Sequence, residues 1–264
     1  MHGFPGSTHS WRHLVPLMPE GRRLVVLDLM GCGRSDSVRR PTRTASDTGS
    51  HTAPSVVDGG TGTTFDTQAA LVVGLMDDLS IARAAIIGHG IGAALAQAIT
   101  VRHPDRVSAL CLMSSPAFAV WPRRMARLAR MCTPFAGLIG APILASFVHG
   151  SAIRGYADRD AGRRALDVSL RPYPARLGCD ALVSQLGSMR DAAIARVGAL
   201  LGGIAVPTAV IWGASDPFLA PSVGEQLRAA IPHATLDVIP GARHFVAEDA
   251  PIECAQLATA LLAR

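Results

Sequence analysis

The sequence predicts an α/β fold: a mostly parallel sheet flanked by helices, with a helical cap inserted into it. Three observations predict this. Short apolar runs of strand length recur along the chain. Stretches with helical spacing alternate with them, the pattern of a parallel sheet covered on both faces. From Pro116 to about Gly203 the alternation stops, and helical patterns continue with no strand-like run between them.

The elements follow in order. In "RRLVVLDLMGCGRSD", Leu24 to Leu29 reads as a strand buried on both faces and ended by Gly31 and Gly33. Residues 39–64 are rich in Ser, Thr, Gly, Pro and Asp, lack an apolar period, and read as a long loop. Phe65 to Ser80 carries Leu71, Leu75 and Leu79 with Val72 and Met76, a helical spacing. Ala84 to Gly88 is the next strand, Gly92 to His103 a helix, and Val107 to Met113 a third strand. Beyond the insertion, "VPTAVIWGASD" gives a strand, Pro221 to Ile231 a helix, "ATLDVIPGARH" a strand, and Glu248 to Arg264 a terminal helix. The organisation expected is therefore a core over 1–115, a helical cap over 116–203 placed above the carboxyl ends of the strands, and the rest of the core over 204–264.

Composition narrows the partners. A chain of 264 residues, 49% hydrophobic, is long enough for one sizeable α/β domain. Mean hydropathy is +0.29. Even so, the most apolar stretch, Pro134 to Val148, falls short of the ~20 residues of a spanning helix and reads as a buried or pocket-lining segment. Net charge is +5 and every cation is an arginine. The arginines are scattered without aromatic interleaving, which speaks against nucleic acid. One cluster, Arg123, Arg127 and Arg130, falls on one helical face and reads as solvated, with contact to an anionic substrate or a membrane surface as the alternative. Five dispersed cysteines with no C-x-x-C pair argue against a disulfide framework or a zinc site, and for a reducing cytoplasm. The opening "MHGFPGS" shows no charged-then-apolar leader.

Parallel α/β sheets collect ligands at the carboxyl ends of their strands. Four stretches fall there: "HGFPGS" from His2, "GHGIG" from Gly88, "WGASDP" with Asp216, and "GARHF" with His244. In this order and at these positions they resemble the α/β-hydrolase superfamily over essentially the whole chain. That resemblance implies an H-G motif leading into an oxyanion loop and a G-x-nucleophile-x-G elbow. It further implies an acid after a late strand and a histidine after the last one, matched here as Gly90, Asp216 and His244. The opening "HGFPGSTHSWRHLVPLM" with "DLMGCGRSD" looks most like the epoxide-hydrolase and dehalogenase branch. There the elbow is commonly G-H-D-x-G, although the G-H-S-x-G of esterases stays open. Ile91 stands where many haloalkane dehalogenases have a halide-holding tryptophan, which lowers dehalogenation.

By this resemblance His244 is the general base and Asp216 orients its ring. The backbone N–H groups of Phe4 and Ile91 form the oxyanion hole, and the cap tyrosines Tyr156 and Tyr173 contact substrate. The nucleophile position is Gly90, which has no side chain. Ser114, Ser115, His89 and Cys32 are the other candidate nucleophiles, and for each a packing role fits its position better. A second departure is that the H-G motif opens the chain, so the first three strands of the family are absent. The third of these would lie between Leu24–Leu29 and Ala84–Gly88. A late-assigned start codon or a truncated gene is the expected cause, and exposed apolar edges the expected result.

Three functional readings follow. The first is an enzyme of hydrolase descent acting on an ester, epoxide or similar bond of a small apolar molecule, with His244 activating water. The second is a non-hydrolytic His–Asp enzyme of lyase, cyclase or cofactor-free oxygenase type, in which Gly90 makes room for substrate. The third is a binding protein or inactive pseudo-enzyme. None calls for a cofactor or a metal.

Overall fold

Among the described residues, four strands form one parallel sheet in the order β1 (Ala84–His89), β2 (Val107–Met113), β3 (Thr208–Gly213), β4 (Thr235–Ile239). The computed structural model describes residues 1–37, 65–118, 120, 140–188 and 192–263. The register pairs Ile86 with Leu110, Leu112 with Val210, and Val210 with Leu236. Strands β2 and β3 are central and apolar throughout, because helices cover both faces. Their side chains alternate between two cores. Leu110, Leu112, Val210 and Trp212 face one, with Leu95 and Ile99; Cys111, Met113, Ala209 and Ile211 face the other, with Trp11, Leu14 and Cys254.

The core helices are α1 (Phe65–Asp78) and α2 (Ile91–Arg102). The inserted segment contributes α3 (Ala141–Ala152), α4 (Arg159–Leu170), α5 (Gly178–Ser188) and α6 (Ala192–Gly198), followed by α7 (Pro221–Ala230), α8 (Val246–Asp249) and α9 (Pro251–Leu262). Helix α2 is buried on nearly every side, so alanine and glycine dominate it. Helix α4 starts where the Asp158 carboxylate accepts from the Asp160 and Ala161 amides. Proline occupies the first turn of α3, α7 and α9, where a missing N–H costs nothing. Within the described part of the insertion the only β pairing is one isolated bridge, Ala117 to Val120. The helical reading of that segment agrees with this. Residues 39–64 and the arginine cluster lie outside the described residues.

Two elements differ from expectation. The terminal helix breaks at Ala250, since Pro251 cannot donate to the preceding turn and restricts the residue before it. More consequentially, Leu24–Leu29 is not a strand: it pairs with none among the described residues, and Leu24, Val25 and Val26 are 42%, 42% and 38% exposed. A groove of about 680 Å³ separates Leu24–Leu27 from Ala84–Ile87, with Val72, Met76 and Leu261 also lining it. An apolar run becomes a strand only when a neighbour meets its amides and carbonyls. Here that neighbour is absent among the described residues. At one end of the groove Met1 imitates a parallel ladder: its amine donates to the Ile87 carbonyl (2.7 Å) and its carbonyl accepts from the His89 amide (3.0 Å).

Candidate active site

The site is built where β1 turns sharply into α2. The turn residue is Gly90, at φ +53° and ψ −122°. A side chain there is strained, whereas glycine adopts this region freely. Its amide donates to the Met113 carbonyl (3.0 Å), and its carbonyl accepts from Ala93 and Ala94 (3.0 and 3.1 Å), so strand and helix are fixed to one another. There is room at this position. A Cβ built on Gly90 would stand 3.4 Å from Gly3 Cα and 3.7 Å from His244 Nε2, both ordinary contacts.

His244 comes from the loop after β4. Its Nδ1 donates to Asp216 Oδ2 at 2.8 Å, and the side chains are nearly solvent-free. Asp216 comes from the turn after β3, and its other oxygen accepts from the Phe218 and Leu219 amides at 2.8 and 3.0 Å. Burial alone would raise this carboxyl. The charge and hydrogen bond of His244 and the two amides more than offset that, so its pKa is held below the usual range. With Nδ1 committed to Asp216, Nε2 is left facing Gly90 and has no bond to a described residue. Phe218 and Phe245 pack edge-on against the ring, with centroids at 5.1 and 5.3 Å. The end of β3 reaches the same loop closely enough that any Cβ on Gly213 would collide with the Arg243 carbonyl oxygen.

Two further imidazoles brace this arrangement. His89 Nε2 donates to the His244 carbonyl at 2.8 Å. Burial, with His244 beside it, pushes His89 down to about 3, so it stays neutral. His2 accepts from the Leu29 amide through Nε2 (2.9 Å) and donates from Nδ1 to the Gly3 carbonyl (2.7 Å). Burial lowers it to about 4. His2 thereby fastens the Gly3–Phe4 loop beside the turn. The backbone of Phe4 follows Gly3, and Ile91 opens α2, where the leading amide of a helix has no acceptor within it.

Among the described residues, four bonds tie the insertion to the histidine loop. Phe245 N–H donates to the Gly155 carbonyl (3.1 Å) and Arg243 Nη1 to the Arg154 carbonyl (3.0 Å). Ala157 N–H donates to Asp249 Oδ1 (3.0 Å) and the Tyr156 hydroxyl to Glu248 Oε1 (2.9 Å). Arg12 holds the other Glu248 oxygen. Of the sequence-derived site residues, the structure brings His244, Asp216 and Gly90 together. Tyr156 and Tyr173 are buried, and their hydroxyls are engaged within the protein, Tyr156 by Glu248 and Tyr173 by Cys32 Sγ at 3.5 Å. Burial pushes the Cys32 thiol up to about 12, which keeps it protonated. Ser114 is fully buried, and Ser115 Oγ accepts from Gln97 Nε2 (2.7 Å). Sequence reasoning missed the His89 tether and the Glu248–Asp249 anchor. The second left a signal, two adjacent carboxylates just past His244 in "RHFVAED".

Among the described residues no group of His, Cys, Asp and Glu is arranged to hold a metal, and no helix is long and apolar enough to cross a membrane. Comparison with known proteins finds that residues 1–137 and 172–251 match the model of a family described as alpha/beta hydrolase fold. A Pseudomonas putida 2-hydroxy-6-oxononadienedioate/2-hydroxy-6-oxononatrienedioate hydrolase is 26% identical over 257 residues, covering 93% of this chain and 80% of its own. An epoxide hydrolase of Siraitia grosvenorii is 35% identical over 115 residues, 43% of this chain and 30% of its own. Among solved structures, a thermophilic esterase from Thermogutta terrifontis superposes with TM-score 0.77 at 19% identity, covering 99% of this chain and 87% of that one.

Proposed function

Because the chain belongs to the alpha/beta hydrolase fold family, we propose that it hydrolyses a small, largely apolar organic molecule at the Gly90–His244–Asp216 turn without a covalent enzyme intermediate. One observation carries this reading. His244 is held by Asp216 at 2.8 Å, with Nε2 open toward a residue that has no side chain, 3.7 Å from where its Cβ would stand. An imidazole oriented in this way is a general base. With no Ser, Asp or Cys at position 90, the proton it removes is that of water. The water oxygen attacks the electrophilic carbon. Negative charge moves to the substrate oxygen, where the Phe4 and Ile91 amides receive it, and the leaving group takes the proton back from Nε2. Asp216 stays ionised and stabilises the imidazolium between these steps.

Relatives that are hydrolases in name, along most of the chain, support the reaction class. Substrate contact through the Tyr156 and Tyr173 hydroxyls is no part of the proposal, since each is already bonded. The test is a panel of small esters and epoxides. The wild type is expected to turn over at least one ester or epoxide, incorporating solvent ¹⁸O directly into product in a single turnover. Asp216→Asn is expected to lower kcat by about 10³–10⁴-fold, and His244→Ala to abolish turnover. No turnover across the panel, or turnover indifferent to His244→Ala, overturns the proposal.

A further inference from the structure

The backbone on either side of His244 is held from the insertion. After it, Phe245 N–H donates to the Gly155 carbonyl (3.1 Å). Before it stands Arg243, linked through Asp249. One carboxylate there serves two segments: Oδ2 accepts from the Arg243 amide (2.8 Å) and Oδ1 from the Ala157 amide (3.0 Å). The same stretch, residues 154–157, presses on the rings beside the pair. Tyr156 stacks on Phe245, with centroids 4.1 Å apart and planes 14° from parallel. Gly155 lies so close that a Cβ on it would stand 2.6 Å from Phe218 Cε2 and 2.8 Å from Phe245 Cε2. These two rings are the ones packed edge-on against His244, and the Phe218 amide is one of the two that hold Asp216. Four consecutive residues of the insertion therefore touch the supports of both His244 and Asp216.

We propose that residues 154–157 are a clasp, with Gly155 and Asp249 as positioning residues, and that His244 and Asp216 are held in line only while the insertion is docked. The effect on rate rests on the hydrolytic reading above; the effect on the His244–Asp216 bond does not. Gly155 acts by what it lacks: without a Cβ, its chain reaches both rings and its carbonyl reaches Phe245. Asp249 acts by sharing its two oxygens, so losing the Ala157 amide loosens the same carboxylate that fixes Arg243. A reacting group set about 1 Å out of place costs on the order of 10²-fold in rate. Undocking the insertion thus disarms the base as well as uncovering it.

The experiment pairs proton NMR with steady-state kinetics on variants shown to be folded by thermal melts. The NMR signal is the downfield Nδ1–H resonance of the His244–Asp216 bond, identified by its loss in His244→Ala. Gly155→Ala drives a methyl into both rings, and Asp249→Ala leaves the Arg243 and Ala157 amides without their acceptor. Each is expected to shift or broaden the resonance and to lower kcat by about 10–100-fold with little change in KM. Asp249→Asn keeps one acceptor oxygen, is expected to fall between, and carries the test should the alanine change unfold the protein. Gly150→Ala, in helix α3 with nothing within 4 Å of the added carbon, is expected to match the wild type in both readings. An unchanged resonance in folded Gly155→Ala and in the folded Asp249 variant overturns the clasp. So does a raised KM with kcat kept, the mark of a segment that only covers substrate. A wild type without turnover overturns the hydrolytic reading, and the resonance then decides the clasp by itself.

Discussion

Replacing His89 with glutamine tests how the site is braced. His89 titrates near 6.5 when unfolded and at about 3 in the folded protein, because it is buried. Between those values the unfolded chain holds a proton that the folded chain does not, so stability falls as pH falls. From pH 7 to pH 5 the loss from this one group is about 2 kcal/mol, working from 1.36 kcal/mol per pKa unit. His2, lowered to about 4, adds a similar amount. Glu248 and Asp249 act oppositely: burial raises both, so the folded form takes up their protons first. Against a typical total of about 5–15 kcal/mol, the histidine pair is a large part of acid sensitivity. Urea denaturation at pH 7 and pH 5 measures it. The wild type should lose several kcal/mol, and His89→Gln, which keeps a donor for the His244 carbonyl, should lose about 2 kcal/mol less. Equal losses in the two proteins would refute the reasoning.

Two other outcomes follow from the geometry. Gly213→Ala forces a methyl into the Arg243 carbonyl. It should cost at least about 2 kcal/mol, lowering Tm in a thermal melt by roughly 4–8 °C. Tyr156→Phe removes the hydroxyl bonded to Glu248 and should cost about 1–2 kcal/mol in a denaturant titration. Because that hydroxyl helps hold the Glu248 carboxylate, its loss should also shift Glu248 further upward in a carboxyl ¹³C titration.

The sheet was legible because β1 to β4 are short apolar runs with helices between them, and local period carries that information. The Gly90 turn and the strand ends bearing Asp216 and His244 were legible for the same reason: each is a glycine-marked exit from a strand. What failed was whatever depends on a distant partner. Leu24–Leu29 has the composition of a strand, but pairing is a property of two segments, and no second segment meets it among the described residues. The helix expected from Glu248 onward ran through Pro251, a local signal underweighted against a continuous apolar pattern. The partners of Tyr156 and Tyr173 lie 92 and 141 residues away, and the carbonyl that His89 holds lies 155 residues away. Hydrophobic spacing cannot report such pairs.

Strand β1 serves two neighbourhoods. Its carboxyl end delivers the Gly90 turn, while its flank, Ala84 to Ile87, borders the groove opposite Leu24–Leu27. Beyond the two bonds to Met1, no strand among the described residues pairs with this flank, and an unpaired strand edge in apolar surroundings is a template for other chains. Self-association through that flank would tug on the segment that positions the turn. Any activity of the proposed site should then fall per molecule as protein concentration rises, so dilution becomes a handle on the geometry of the turn.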